Sequence, residues 1–124
     1  MRDLILVATG GAIGAGARYA AGRAATALLS PSFPWGTFLI NVVGCFLMGL
    51  VAGFASQGTI SPATRLFLAT GVLGGFTTFS AFGLETQALL AEGRVGAAAL
   101  YAGGQVVLGV VCVLAGLFLT RRLA

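Results

Sequence analysis

The chain has no histidine and no lysine, and only three of its 124 residues are acidic. Histidine is the side chain that titrates nearest neutral pH and the commonest metal ligand. Its absence removes the usual general base and the usual transition-metal anchor. Nothing in the composition points to an enzyme. Cysteine is scarce too: Cys45 and Cys112 both fall deep in apolar stretches, where they read as small buried hydrophobes rather than a disulfide or a reactive thiol. Charged residues make up only 8% of the chain against 58% hydrophobic, and the mean hydropathy is +1.02. That leaves too little polar material to cover a soluble fold of this size, so the chain reads as an integral membrane protein of one domain, residues 1–124.

The net charge of +4 and pI near 10.1 would suit a nucleic-acid binder if the basic residues clustered. They do not. The seven arginines are scattered, and arginines flanking apolar spans and meeting anionic lipid headgroups explain the balance better. Twenty glycines without a Gly-X-Y period exclude collagen and suit membrane helices that pack closely through small residues.

Four apolar spans are expected, at about 4–29, 35–55, 62–91 and 95–120. Ala15-Gly16-Ala17 faintly imitates a signal-peptidase site, but further spans follow where a soluble domain would be needed. Ser30-Pro31-Ser32-Phe33-Pro34 makes the first turn, with Pro34 suited to open the next helix and Trp35 to anchor at the interface. Ser61-Pro62 reads as a cap and first position of the third span. Gly10/Gly14 and Gly49/Gly53 form GxxxG pairs. Four spans put both termini on one side with Arg2, Arg65, Arg121 and Arg122, against Arg23, Arg94 and Glu92 on the other. The positive-inside bias towards cytoplasmic termini is weak, and insertion in both orientations is compatible with it.

The third span contains Gly74-Gly75-Phe76-Thr77-Thr78-Phe79-Ser80-Ala81-Phe82, a poor ordinary helix. Paired glycines and adjacent β-branched threonines weaken it, and a break near residues 74–78 is expected. Phe76, Phe79 and Phe82 recur every third residue, on one side of a helix. Irregular backbone at membrane depth is tolerated where protein or a water-filled path surrounds it, so the stretch reads as a broken helix lining an ion path. Phenyl edges carry the positive end of the ring quadrupole and suit a small anion; carbonyls suit a hard cation such as Na⁺. Thr37, Asn41 and Cys45 share a face of the second span. Asn41 serves either as interhelical glue or as a donor facing a pore. Arg18 is the costliest residue of the first span, either attracting anions or pairing with Glu85 or carbonyls. Tyr101 and Gln105 lie one turn apart in the last span and offer polar groups to the interior.

Three blocks, Gly10–Tyr19, Gly36–Phe46 and Gly71–Phe82, in this order in a four-span chain of this length, resemble the Fluc (CrcB) family of fluoride channels. The resemblance implies an all-α fold in an antiparallel, dual-topology homodimer, with two fluoride pores along the subunit interface. It implies a multi-pass protein of the plasma membrane that exports F⁻ passively. By match to the motif, Asn41, Phe79 and Phe82 would line the pore, with Ser80, Thr37, Glu85 and Tyr101 lining or flanking it. Arg18 would sit near the vestibule, and a central Na⁺ would be held by the backbone carbonyls of Gly74 and Thr77. The chain departs from the family in having Ala81 after Ser80, and Gln105 and Gly109 where the last helix often carries hydroxyls. Two other classes compete. A small four-helix dimeric multidrug transporter needs a carboxylate in its first span, where this chain has Arg18 and no acid between Asp3 and Glu85. In a structural membrane protein, Asn41 and the phenylalanines would be packing only.

Overall fold

The computed structural model describes residues 1–124, nearly all of them in helices or the turns between. Four helices are long and apolar enough to cross a membrane: Arg2–Leu28, Trp35–Ser56, Pro62–Ala91 and Val95–Leu123. Each stop has a local cause. Gly58 and Gly93 adopt φ of 71° and 74°, the left-handed conformation that turns the chain out of the second and third helices. Ser61 caps the third helix by accepting the Thr64 N–H, with Pro62 as first residue. Pro34 sits just outside the second helix, at its cap, and Trp35 opens it. Arg94 donates to the Ser32 carbonyl and so ties the first turn to the last.

Glycines set how closely the helices approach. A Cβ on Gly10 or Gly14 would lie 2.7 Å from the Phe67 carbonyl oxygen or 1.9 Å from that of Val72, so the first helix rests backbone to backbone on the third. Gly75 returns the contact, with its Cβ direction 2.5 Å from the Gly11 oxygen. Gly49 and Gly116 do the same between the second and fourth helices, where Gly53 lies against the Thr120 side chain instead. Small-residue packing replaces the hydrophobic drive that lipid does not provide.

The third helix is irregular in two places. Leu66–Leu73 is π-helical, which the residue pattern did not disclose; the widened turns lie where Gly10 and Gly14 press on its backbone. The break itself is narrower than the expected 74–78. Gly74–Phe76 stays helical, and only Thr77 (φ −83°, ψ 159°) and Thr78 (φ −149°, ψ 120°) are extended before the helix resumes at Phe79. Gly75 serves close approach, and the threonines make the break. One consequence corrects the expected phenylalanine face. Phe79 and Phe82 share the second arm, whereas Phe76 ends the first arm and packs in an apolar cleft with Ile40 and Val43.

Only 15 of 124 residues are buried, and 25 large hydrophobic residues are exposed, so most of the surface is apolar and faces lipid or another chain. Overpacking at a backbone contact costs about 1–3 kcal/mol. Gly14→Val and Gly49→Val should therefore lower the thermal unfolding midpoint in detergent. Gly16→Ala, where a Cβ meets nothing within 4 Å, should leave it unchanged or raise it.

Candidate functional site

The break is held by one side chain. The Thr78 N–H donates to Asn41 Oδ1 at 2.9 Å, and Asn41 Nδ2 donates to the Thr78 carbonyl at 3.0 Å. Asn41 thus pairs both backbone groups of an extended residue that has no strand partner, a requirement at membrane depth. Its Nδ2 also donates to Gln105 Oε1 at 2.8 Å, linking the second, third and fourth helices. Gly44, one turn on from Asn41, makes room: its Cβ would lie 2.3 Å from the Thr77 methyl. Thr78 then caps the second arm, its hydroxyl accepting the Ala81 N–H at 3.2 Å.

These bonds redistribute the carbonyls. In an unbroken helix the Gly74 oxygen would accept from Thr78 N–H and the Thr77 oxygen from Ala81 N–H. Here those donors go to Asn41 and to the Thr78 hydroxyl, so both oxygens are released from helical pairing. Gly74 is exposed as well. Two carbonyl oxygens freed at an interrupted helix are hard donors of the kind that hold Na⁺.

A second network fixes Glu85. Its carboxylate accepts from the Thr37 hydroxyl at 3.0 Å and from the Tyr101 hydroxyl. Arg18 is not its partner: the only ion pair in the chain is Arg94–Glu92, at 3.6 Å. Of the two readings of Arg18, pairing with Glu85 is therefore set aside. Arg18 and Arg23 line a cleft of about 640 Å³ whose wall also carries Thr37, Thr78 and Glu85. Two guanidinium groups against one hydrogen-bonded carboxylate leave that cleft cationic on balance.

A smaller cavity of about 290 Å³ lies beyond the break, lined by Asn41, Thr78, Phe79, Phe82 and Gln105 among others. Thr78 borders both spaces. Phe82 stacks between Phe79 and Tyr101, with centroids 5.3 and 5.8 Å away. Phe79 is 83% exposed, while Tyr101 is fully buried and Gln105 nearly so. Asn41, Phe79, Phe82 and Gln105 are thus together; Thr37, Glu85 and Arg18 are together at the cleft. Tyr101 joins them through Glu85 without lining either space, and Ser80 lies outside both, 3.3 Å from the Thr78 hydroxyl. Residue reasoning did not single out Thr78, although a threonine immediately before a resumed helix is a cap signal. It also took Cys45 for a buried hydrophobe, yet Cys45 and Met48 line the smaller cavity.

Architecture and site together define a small multi-pass membrane protein built around a clamped helix break. The chain belongs to the CrcB family: the description "CrcB-like protein, Camphor Resistance (CrcB)" matches residues 5–117. It is 55% identical over 126 residues to a fluoride-specific ion channel FluC of Novosphingobium aromaticivorans, covering 100% of each chain. A protein of the same description from Hyphomonas neptunium is 49% identical, covering 99% of this chain and 98% of its own. One from Thermus thermophilus is 50% identical over 109 residues, 88% of this chain and 87% of its own. Four apolar helices and these bacterial relatives make the chain a multi-pass protein of the plasma membrane.

The clamp can be tested through stability. Losing a threonine cap costs about 1 kcal/mol, and each buried backbone group left unpaired costs about 1–3 kcal/mol. Asn41→Ala strands both groups of Thr78, so its unfolding midpoint in detergent should fall further than that of Thr78→Val.

Proposed function

We propose that the chain forms a passive, fluoride-selective channel that lets F⁻ leave the cell down its gradient. Weakly acidic HF enters from acid surroundings and dissociates inside, so export needs a selective path and no energy source. It is not an enzyme. The observation that carries the reading is the meeting, at Thr78, of a cationic cleft and a phenylalanine-lined cavity. It occurs in a chain 55% identical over its whole length to a fluoride-specific ion channel.

The physics follows from hydration. Stripping water from a small anion is very costly unless other donors replace it. Arg18 and Arg23 raise the anion concentration at the cleft. The hydroxyls of Thr37 and Thr78 and the edges of Phe79 and Phe82 would then offer the ion weak donors. The Glu85 carboxylate would repel the ion, and its bonds to Thr37 and Tyr101 hold it to the side. The multidrug-type alternative is disfavoured, because no carboxylate lies in the first helix beyond Asp3.

The working unit in this reading is an antiparallel homodimer. Released carbonyls at an exposed Gly74 beside a polar break are costly against lipid and suit a second copy, which would also cover the 83% exposed Phe79. The weak charge bias between the two ends suits insertion in both orientations. The released carbonyls of Gly74 and Thr77 of two subunits would hold a Na⁺ that supplies positive charge at the dimer centre.

Purified protein in liposomes should release fluoride and not chloride on an ion-selective electrode, and Phe79→Ile should abolish the release. Equal chloride flux would overturn the reading. Replacing Na⁺ by a bulky organic cation throughout purification should lower fluoride flux, whereas unchanged flux would remove the ion from the scheme.

A further inference from the structure

We infer that Cys45 and Cys112 together form a two-thiol site for one soft, thiophilic cation of the class of Hg²⁺, and that filling it closes the anion route. The closing rests on the channel reading above; the binding does not. The two cysteines are distant in the chain, one in the second helix and one in the fourth. Packing register brings them level. Cys45 Sγ lies 3.2 Å from the Cβ direction of Gly109. One turn on, the Cβ direction of Gly49 meets the Val113 carbonyl, and that of Gly116 meets the Phe46 carbonyl. Cys112 therefore sits at the height of Cys45, between these contacts. Gln105, Gly109, Gly116 and Thr120 belong to the buried stripe of the fourth helix. Helical periodicity puts Cys112 on that stripe, in the gap between Gly109 and Gly116. Both cysteines are free of any disulfide and half-buried, and a charge on one is felt at the other.

A pair of thiols selects its metal by softness. Thiolate and thioether sulfur favour soft ions, whereas hard ions look for carboxylates, and no carboxylate lines the cavity beside Cys45. Met48, one turn from Cys45, adds a soft thioether to the same wall. Each thiol must lose its proton to bind. With Hg²⁺, two S–H bonds break, two S–Hg bonds form and two protons leave through the cavity. The bound product carries no net charge. That matters at membrane depth, where an uncompensated ion would be very costly. Cys45 also supplies the link to conduction, because it shares the 290 Å³ cavity with Asn41, Phe79 and Phe82. A large ion fixed on its sulfur takes up room beside the phenylalanines.

The wild-type chain in detergent should take up one Hg²⁺ from mercuric chloride. The mass of the denatured chain should then rise by one mercury less two hydrogens. Two mercury atoms per chain, or one mercury joining two chains, would mean separate thiols and overturn the inference without any variant. Against an excess of free cysteine, wild type should hold the ion about a hundredfold more tightly than Cys45→Ser or Cys112→Ser. Equal retention in either single variant overturns the pairing. Zn²⁺, which asks for four ligands, should not displace the ion; displacement overturns a soft two-thiol site. In liposomes with the same excess of cysteine, Hg²⁺ should stop fluoride efflux through wild type and not through Cys112→Ser. An added dithiol should restore the wild-type efflux. Efflux that continues with the metal in place overturns the closing. Wild type that carries no fluoride yet binds one mercury supports the site and sinks the channel reading alone.

Discussion

An interrupted helix inside a membrane must satisfy the backbone groups it frees, and in this chain one amide does so. Asn41 accepts from and donates to Thr78, standing in for a strand or a helical turn. The rest of the site depends on that exchange. It lets Thr78 cap the second arm, releases the Gly74 and Thr77 carbonyls, and sets Phe79 and Phe82 on a helical arm separate from that of Phe76. Because the third Asn41 bond runs to Gln105, the clamp also fixes the last helix against the break.

The glycines make the exchange reachable. With the first helix in backbone contact with the π-helical part of the third, and the second in similar contact with the fourth, the bundle is thin and has little core. Such a bundle cannot bury much apolar surface by itself. Close backbone approach, interhelical hydrogen bonds and surrounding apolar material hold it instead. The same thinness leaves the polar break near the surface of the single chain.

Charge is divided in a way that suits an anion. The arginines of the first helix are unpaired at the cleft, while the one carboxylate there is tied down by two hydroxyls from different helices. A carboxylate so held is less free to pair with Arg18 or to swing into the route. Positive potential is offered at the cleft, and neutral donors beyond it.

Much of this was legible in the residues. Hydropathy, the two-proline turn and the Ser61-Pro62 start mark elements through local chemistry: an apolar run, a missing N–H, a side-chain cap. The pairing of Thr37, Asn41 and Cys45 on one face follows from helical periodicity alone. What lay beyond reach were the facts that depend on which atom meets which. Periodicity put three phenylalanines in line, and only the tertiary structure showed that two extended threonines part Phe76 from the others. Paired glycines looked like the break, yet both remain helical, and Gly75 admits the backbone of the first helix. Charge alone left pairing with Glu85 open as one reading of Arg18, and the fold gave Glu85 to Thr37 and Tyr101 instead. Sequence by itself determined that this chain spans a membrane with a weakened third helix, because those properties are sums over local residues. The tertiary structure decided where the break falls and which groups pair across it, because hydrogen-bond capacity is settled only when every neighbour is in place.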